Sequence, residues 1–189
     1  MPKQVELISG PGCPVCVTPV SFIDEAIYLA LEKQVTICTF GDLVRVPGSQ
    51  MSLAGAREKG AKIHIVYSPA DAEKYAKDHP EEQVTFLSVG FETTTPAGCL
   101  SVKQAKEDGI SNYSLLVANK TMPGAYEALK GSADVFLYPG HVNAITGTEL
   151  CEELVKEGVS GVVAGFTAKE LLTALAVALV RFQEESRSS

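Results

Sequence analysis

Two cysteines, Cys13 and Cys16, are the residues whose type and spacing most directly indicate chemistry. They lie in the stretch GPGCPVCVTP, residues 10–19. A Cys-x-x-Cys pair can exchange between thiol and disulfide, can bind a soft metal through its thiolates, or can belong to a structural turn. Gly10 and Gly12 let the backbone approach whatever binds there, since glycine carries no Cβ. From the residues alone these three interpretations stay open.

Pro19 separates the two cysteines from the helix that follows them. If Cys13 capped that helix, Pro19 would lie in its second turn, where a proline costs about 3 kcal/mol through a lost hydrogen bond. We therefore expect Thr18 to be the N-cap, with Pro19 at the first helical position. Both cysteines then lie on a loop. Two thiolates suit iron or another soft metal, although a zinc site needs four ligands.

Glu92 is the carboxylate most strongly indicated as functional. It stands in VGFETTTPA, residues 89–97, after a predicted strand and directly before Thr93 and Thr94. It can act as a general acid or base, orient a ligand, or accept N–H bonds within the turn. The threonines can cap the next helix without a chemical role.

His141 follows Pro139 and Gly140 at the end of another predicted strand, either as a site residue or as part of a loop. His64 alternates with isoleucines in a strand pattern and is predicted to be structural. His79 lies in a polar stretch and is predicted to be solvated. Three further cysteines are predicted to be buried apolar residues: Cys38, Cys99 and Cys151.

Short apolar runs alternate with helical patterns along the chain and predict an α/β fold with parallel sheets flanked by helices. The strands are expected at 5–9, 35–40, 62–67, 84–89, 113–118, 134–138 and 160–165. The helices are expected near 19–33, 49–59, 69–78, 96–108, 123–131, 146–157 and 167–184.

The polar stretch 74–83 indicates a boundary between two lobes. We expect residues 1–78 to form a first α/β lobe with the cysteine loop, and residues 79–166 a second. Residues 167–189 would add a C-terminal helix, packed back on the first lobe, and a polar tail. Ligands of open α/β sheets bind beyond the carboxyl ends of the strands, where the candidate residues gather.

Composition narrows the class of protein. The 189 residues carry a net charge of −7 and no basic stretch, which argues against a nucleic-acid partner. No apolar run reaches the roughly 18 residues of a membrane span, and the N-terminus lacks the apolar core of a signal peptide. Five cysteines, an odd number, fit a reducing compartment. We expect a cytoplasmic protein.

Three motifs together resemble the HypD family of hydrogenase maturation factors. They are GPGCPVCVTP (10–19), VGFETTTPA (89–97) and YPGHVNAITG (138–147), in this order, with VVAGF (162–166) as a further match. The resemblance implies two parallel α/β lobes facing a cleft. It also implies a role in assembling the Fe(CN)2(CO) centre of nickel–iron hydrogenase, together with a HypC-type chaperone and a HypE-type cyanide donor.

The resemblance also implies roles for individual residues. Cys16 would be an iron ligand, and Cys13 a redox or supporting thiol that can also contact the metal. Residues of the second and third motifs would face the same cleft as Glu92: Thr93, Thr94, Pro139, Gly140 and His141.

Two parts of the family pattern are absent from these 189 residues, an upstream Cys-Gly-Thr-His motif and a C-terminal cysteine cluster. We therefore expect a fragment or a shortened relative that does not hold the family's four-iron cluster by itself. Two other functions stay open: a small thiol–disulfide oxidoreductase that uses Cys13 and Cys16, and a two-lobed small-molecule binding protein in which the cysteines are incidental.

Overall fold

A computed structural model describes residues 5–10 and 12–188 of the chain. Its strands are β1 Thr36–Thr39, β2 Ile63–Ile65, β3 Val84–Ser88, β4 Tyr113–Val117, β5 Val135–Pro139 and β6 Ser160–Ala164. Its α-helices are α1 Val20–Glu32, α2 Leu53–Glu58, α3 Pro69–Asp78, α4 Thr95–Glu107, α5 Met122–Ala128, α6 Gly140–Thr146, α7 Glu149–Lys156 and α8 Ala168–Ser188. A short 3-10 helix, Gly41–Arg45, follows β1.

The first four strands form one parallel sheet in the order β2-β1-β3-β4. Cys38 of β1 pairs with Phe86 of β3, and Phe86 pairs in turn with Leu115 of β4. β1 and β3 are therefore the inner strands, and every one of their residues is buried. Inner parallel strands are covered on both faces, which explains why their sequences are apolar almost throughout.

Helices cover both faces of this sheet. On one face α1 buries a stripe of apolar residues against the side chains of Ile37 and Leu87: Phe22, Ile23, Ala26, Ile27 and Ala30. On the other face Cys38 and Phe86 pack with Ala72 and Ala76 of α3. The spacing of the α1 stripe is that of one helical face, so burial follows from the sequence pattern.

The last two strands form a separate two-stranded parallel sheet, in which Leu137 of β5 pairs with Val162 of β6. Helix α8 packs against both strands, with Ala174 and Ala178 buried. The chain thus comprises two compact units, Cys13–Lys120 and Thr121–Ser189, and the described residues before Cys13 belong with the second.

The predicted α/β class with parallel sheets and flanking helices is confirmed, and six of the seven predicted strands are present. The strand expected at 5–9 was wrong, because these residues pair with no strand of the described chain. Leu7 and Ile8 are 64% and 66% exposed. An apolar run becomes a strand only where a neighbouring strand accepts its backbone hydrogen bonds.

The compact units differ from the lobes expected at 1–78 and 79–166. The polar stretch 74–83 is the end of α3 and the turn into β3, and β3 pairs with β1, so both sides of residue 78 share one sheet. The helix expected at 167–184 packs against β5 and β6, which belong to its own unit. The division of the chain into compact units thus follows strand pairing, which joins residues that are distant in the sequence.

Helices α1 and α4 each begin one residue from the predicted start. Helix α1 begins at Val20 with an extended Pro19 as its N-cap, while the hydroxyl of Thr18 donates to the carbonyl oxygen of Pro14. Helix α4 begins at Thr95, with Thr94 as its N-cap. Helix α6 was not predicted, since its sequence resembles a loop after β5.

Candidate functional site

The two cysteines lie on a tight turn that ends at the start of α1. The backbone N–H groups of Cys16 and Val17 both donate to the carbonyl oxygen of Cys13, at 3.1 and 3.3 Å. Both thiols are exposed, and no disulfide joins them. Val15, between them, packs against the core cluster of α1 and thereby anchors the turn. The turn thus presents two thiols to solvent from a fixed backbone.

This turn lies at the carboxyl edge of the four-stranded sheet, although no strand precedes it among the described residues 5–10 and 12. Helix α1 ends at Glu32 and β1 begins at Thr36, so the two run in opposite directions and the start of α1 lies near the end of β1. The carboxylate of Asp42, just beyond β1, acts electrostatically on the Cys13 thiol. The cysteine turn therefore lies at the predicted sheet edge because α1 follows it, and not because a strand precedes it.

The two thiols differ in acidity. The Cys16 thiol donates a hydrogen bond to the Cys13 sulfur, and together with the backbone N–H of Cys16 this lowers the pKa of Cys13 below its usual value of 9.0. The same bond raises the pKa of Cys16, because donating it requires the proton. Cys13 therefore ionises first, and a nucleophile or first metal ligand needs a thiolate.

Gly10 and Gly12 lie on the preceding segment, in the other compact unit. A Cβ at either position would have no atom within 4 Å among the described residues. Neither glycine is thus required by packing.

The second motif forms the turn between β3 and α4. The hydroxyls of Thr94 and Thr95 both donate to the carbonyl oxygen of Phe91, at 3.2 and 2.9 Å. A Cβ at Gly90 would lie 1.7 Å from the Thr94 hydroxyl oxygen, so only glycine fits there without a shift. Glu92 and Thr93 are half-buried in this turn. The motif therefore fixes a tight turn in front of α4.

Asn119, directly after β4, also holds this turn, although it was not among the predicted site residues. Its amide oxygen accepts from the Ser88 hydroxyl at 2.7 Å, and its amide nitrogen donates to the Thr95 hydroxyl at 2.9 Å. The next backbone N–H, of Lys120, donates to the carbonyl oxygen of Gly90 at 2.9 Å. The end of β4 thus clamps the turn. The available signal was a polar residue directly after an apolar strand.

The third motif joins β5 to α6 in the other unit. Pro139 ends β5 and Gly140 begins α6, where a Cβ would lie 2.9 Å from the carbonyl oxygen of Ala164. His141 lies in the first turn of α6 and is exposed. Its ring packs against Phe166, with centroids 4.9 Å apart, and Phe166 is 75% exposed. An aromatic pair thus stands at the carboxyl edge of the β5–β6 sheet.

The structure divides the predicted site residues between the two compact units. Cys13, Cys16, Glu92, Thr93 and Thr94 belong to the unit that contains the four-stranded sheet. The remaining five belong to the other unit: Gly10, Gly12, Pro139, Gly140 and His141. Apart from Gly10 and Gly12, the residues of each unit lie at or near a carboxyl sheet edge, where α/β proteins bind ligands.

The other cysteines and two of the histidines were predicted to have structural or solvated positions, and the structure gives their burial and contacts. Cys38 is fully buried as predicted, and burial raises its pKa to about 12. Cys99 is exposed on α4, so its predicted burial was wrong, and Cys151 is half-buried. His64 and His79 both stack on Tyr75, with centroids 4.4 and 4.0 Å away. His79 is therefore not simply solvated.

Across residues 5–10 and 12–188, no three histidine, cysteine or acidic side chains are grouped closely enough to hold a metal ion. Cys13 and Cys16 are thus a two-ligand set. In the same part of the chain, no helix combines the length and the apolar character needed to cross a membrane.

Residues 1–189 match the HypD family, described as the hydrogenase formation hypA family. The chain is 41% identical over 200 residues to hydrogenase maturation factor HypD of Cupriavidus necator, covering 100% of this chain and 52% of that protein. It is 42% identical over 180 residues to that of Rhodobacter capsulatus, covering 93% and 48%. For Escherichia coli HypD the identity is 41% over 177 residues, covering 91% and 48%. The chain spans about half the length of these curated relatives.

Proposed function

The chain belongs to the HypD family, and on this premise we propose that it is a scaffold for assembling the Fe(CN)2(CO) centre of nickel–iron hydrogenase. It carries iron as cargo through the thiolates of Cys13 and Cys16. It works in the cytoplasm with a HypC-type chaperone and a HypE-type cyanide donor. The names of its relatives, hydrogenase maturation factors, support this proposal.

The observation that carries the proposal is the exposed thiol pair on a fixed turn. Cys13 has a lowered pKa and Cys16 is in hydrogen-bond contact with it, so one thiolate is available first and the second follows when a cation displaces its proton. Thiolate sulfur is a favoured ligand for iron. Two protein ligands leave further coordination positions for the groups that are being assembled.

Glu92 and the threonines beside it have a supporting role in the proposal. The turn is held by Gly90, Phe91 and Asn119, so these side chains are presented in a fixed arrangement. We expect Glu92→Gln to leave the fold intact and to weaken assembly. Unfolding of this variant would make Glu92 a structural residue.

The third motif supplies a second proposed surface, which lies in the other unit. Pro139 and Gly140 start α6 in a fixed position, and His141 with Phe166 offers an exposed aromatic pair to a partner protein. The cleft that joins this surface to the cysteine turn stays a prediction from sequence.

The test is anaerobic titration of the chain with Fe2+, with and without a HypC-type partner, while bound iron and free thiols are counted. We expect about one iron per chain, lost in Cys16→Ala and in Cys13→Ser. Cys99→Ser is the matched control, since Cys99 is exposed on α4, and it should bind iron as the wild type does. Full iron and partner binding by Cys16→Ala would contradict the assignment.

A second candidate, a thiol–disulfide oxidoreductase, is favoured by the unequal acidity of the same pair. The Cys13 thiolate would attack a partner disulfide, and Cys16 would resolve the mixed disulfide. Cys13 and Cys16 then lose two electrons and two protons, and the partner gains two thiols. A Cys13–Cys16 disulfide that forms readily in a chain that binds no iron would favour this candidate.

A further inference from the structure

A cavity of about 270 Å³ lies in the unit Cys13–Lys120, at the carboxyl edge of its sheet. Phe40 lines it just after β1, Tyr67 after β2, and Ser88 at the end of β3. From β1 the chain passes through α2 to β2, which lies on the side of β1 away from β3. From β3 it passes through α4 to β4, on the opposite side of the sheet. The cavity therefore lies where the connections diverge, which is where open α/β sheets bind ligands.

Three aromatic residues line this cavity, Phe40, Tyr67 and Phe86, and none of the described residues that line it carries a charge. Phe40 and Phe86 meet edge to face, with centroids 5.3 Å apart. Tyr67 at the rim is 92% exposed, so its ring is free to stack on an occupant. Aromatic walls without a formal charge favour a flat, uncharged ligand.

Two of the hydroxyl groups that line the cavity, those of Ser88 and Thr94, are arranged as acceptors. Ser88 already donates its hydrogen to the amide oxygen of Asn119 at 2.7 Å, and Thr94 donates to the carbonyl oxygen of Phe91 at 3.2 Å. Each hydroxyl therefore offers only its lone pairs to a ligand.

The orientation of Asn119 follows from the same network. The Thr95 hydroxyl gives its hydrogen to Phe91 at 2.9 Å, so it must accept from the Asn119 amide nitrogen, also at 2.9 Å. The amide oxygen of Asn119 then faces Ser88, and Ser88 must be the donor.

The start of α3 does not attract an anion to this cavity. The carboxylate of Asp71 accepts the backbone N–H of Tyr67 at 3.2 Å, and the Ser68 hydroxyl accepts the N–H of Asp71 at 3.2 Å. The positive end of this helix is thus already paired with a negative charge of the chain.

We propose that this cavity binds a small, uncharged, planar ring that carries an N–H donor, such as an aromatic amide or amine. The ring packs between Phe40 and Tyr67, and the N–H groups donate to Ser88 and Thr94. Pockets for drug-sized ligands have volumes of roughly 300–1,000 Å³, so this smaller cavity takes one ring system. Neither Cys13 nor Cys16 lines this cavity.

Two probes of nearly equal shape test the hydrogen-bond chemistry. Nicotinamide carries an amide NH2, and methyl nicotinate has an ester methoxy group in its place. By ligand-observed NMR on the full chain, we expect nicotinamide to bind with a Kd on the order of 1 mM and methyl nicotinate about tenfold more weakly. Equal affinity of the two probes, or no binding of nicotinamide at about 10 mM, would overturn the proposal.

Two variants test the location. Ala97 lines the cavity, so Ala97→Leu should fill it and weaken nicotinamide binding about tenfold or more. Ala70→Leu is the matched control, because Ala70 is an exposed residue of α3 outside the lining, and it should bind as the wild type does. Unchanged binding in a folded Ala97→Leu would overturn the location.

Tyr67→Ala provides a reading that does not depend on how Ala97→Leu folds. The Tyr67 ring is almost fully exposed, so its removal leaves the core intact. We expect nicotinamide affinity to fall about threefold to tenfold. Unchanged affinity would contradict the stacking role, and Tyr28→Ala, at a half-exposed tyrosine of α1, is the control.

Discussion

The two sheets of this protein share parallel pairing but bury their strands to different extents. Every residue of β1 and β3 is buried, whereas β5 and β6 each bury a single residue, Tyr138 and Ala164. β1 and β3 have a neighbouring strand on both edges and helices on both faces. β5 and β6 have one neighbouring strand each among the described residues.

Helix α8 shows the same contrast. It buries Ala174 and Ala178 against its sheet, but Leu172 and Val180 are 66% and 55% exposed. Helix α1 of the other unit buries five apolar residues as one stripe. The burial of apolar residues thus depends on how many layers of structure cover them. The same residue type therefore contributes differently to stability in the two units.

The largest expected effect compares two leucines on inner and outer strands. Leu87 of β3 is fully buried and Leu137 of β5 is 40% exposed. Leu87→Ala should lower the free energy of unfolding by about 2–5 kcal/mol, and Leu137→Ala by about 1 kcal/mol. Urea unfolding, with hydrogen exchange of peptides from β3 and β5, measures each unit separately. Equal losses would mean that β5 is as well covered as β3.

A second comparison uses two buried asparagines. The side-chain amide nitrogen of Asn112 donates to the carbonyl oxygens of Ala76, His79 and Glu82, at 2.9, 3.0 and 2.8 Å. It joins the end of α3 to the turn before β3. Asn112→Ala should lower the free energy of unfolding by about 2–3 kcal/mol, because it leaves buried carbonyl groups unpaired. Chemical denaturation measures the loss.

Asn143 provides the matched control in the other unit. Its amide nitrogen donates to the sulfur of Cys151 at 3.2 Å, a weak acceptor. We expect Asn143→Ala to lower the free energy of unfolding by about 1 kcal/mol. A larger loss of unfolding free energy for Asn143→Ala than for Asn112→Ala would contradict the expectation that Asn112 contributes more to stability.

A third comparison concerns ion pairs and pH. Glu82 accepts hydrogen bonds from Lys62 and from the buried Thr36, and these lower its pKa below the usual 4.5. A lowered folded-state pKa stabilises the fold above the unfolded-state pKa, and this contribution is lost as the pH falls through the folded-state pKa. Glu82→Gln should therefore cost about 1–2 kcal/mol at pH 7, with the difference shrinking below about pH 4.

The control for Glu82 is an exposed pair in the other unit. Lys130 and Glu157 form an ion pair in which the side chains are 35% and 56% exposed. Glu157→Gln should change the free energy of unfolding by less than about 0.5 kcal/mol at any pH, since solvent screens exposed pairs. Thermal unfolding of both variants at several pH values tests this comparison. If the stability loss of Glu157→Gln depended on pH as strongly as that of Glu82→Gln, the expected difference between the two ion pairs would be contradicted.

The smallest effect on stability, and the sharpest on chemistry, is expected at the cysteine turn. Cys13 should react with iodoacetamide at lower pH than Cys16, because the Cys16 thiol donates to it and lowers its pKa. Cys16→Ala removes this donor and should move the midpoint of Cys13 alkylation to higher pH. Mass spectrometry after timed alkylation gives the order. Faster alkylation of Cys16 than of Cys13 would contradict the assigned donor direction.

The local sequence pattern was sufficient for much of the fold. Runs such as VTFLSV at 84–89 predicted buried parallel strands, and the α1 stripe predicted its buried face, because both depend on residues close in the chain. The motifs also predicted which turns carry candidate site residues. That these residues form one site with a function remains a proposal.

Only the tertiary structure decided which of these segments pair or contact one another. Residues 5–9 have the apolar pattern of a strand but pair with no strand in the part of the chain that the structure describes, and the polar stretch 74–83 separates elements of one sheet. Asn119 joins Ser88 to Thr95, and Gly161 leaves room for the Tyr138 ring, which a Cβ would approach to 2.1 Å. These features depend on which distant residues meet, and local periodicity carries no information about that.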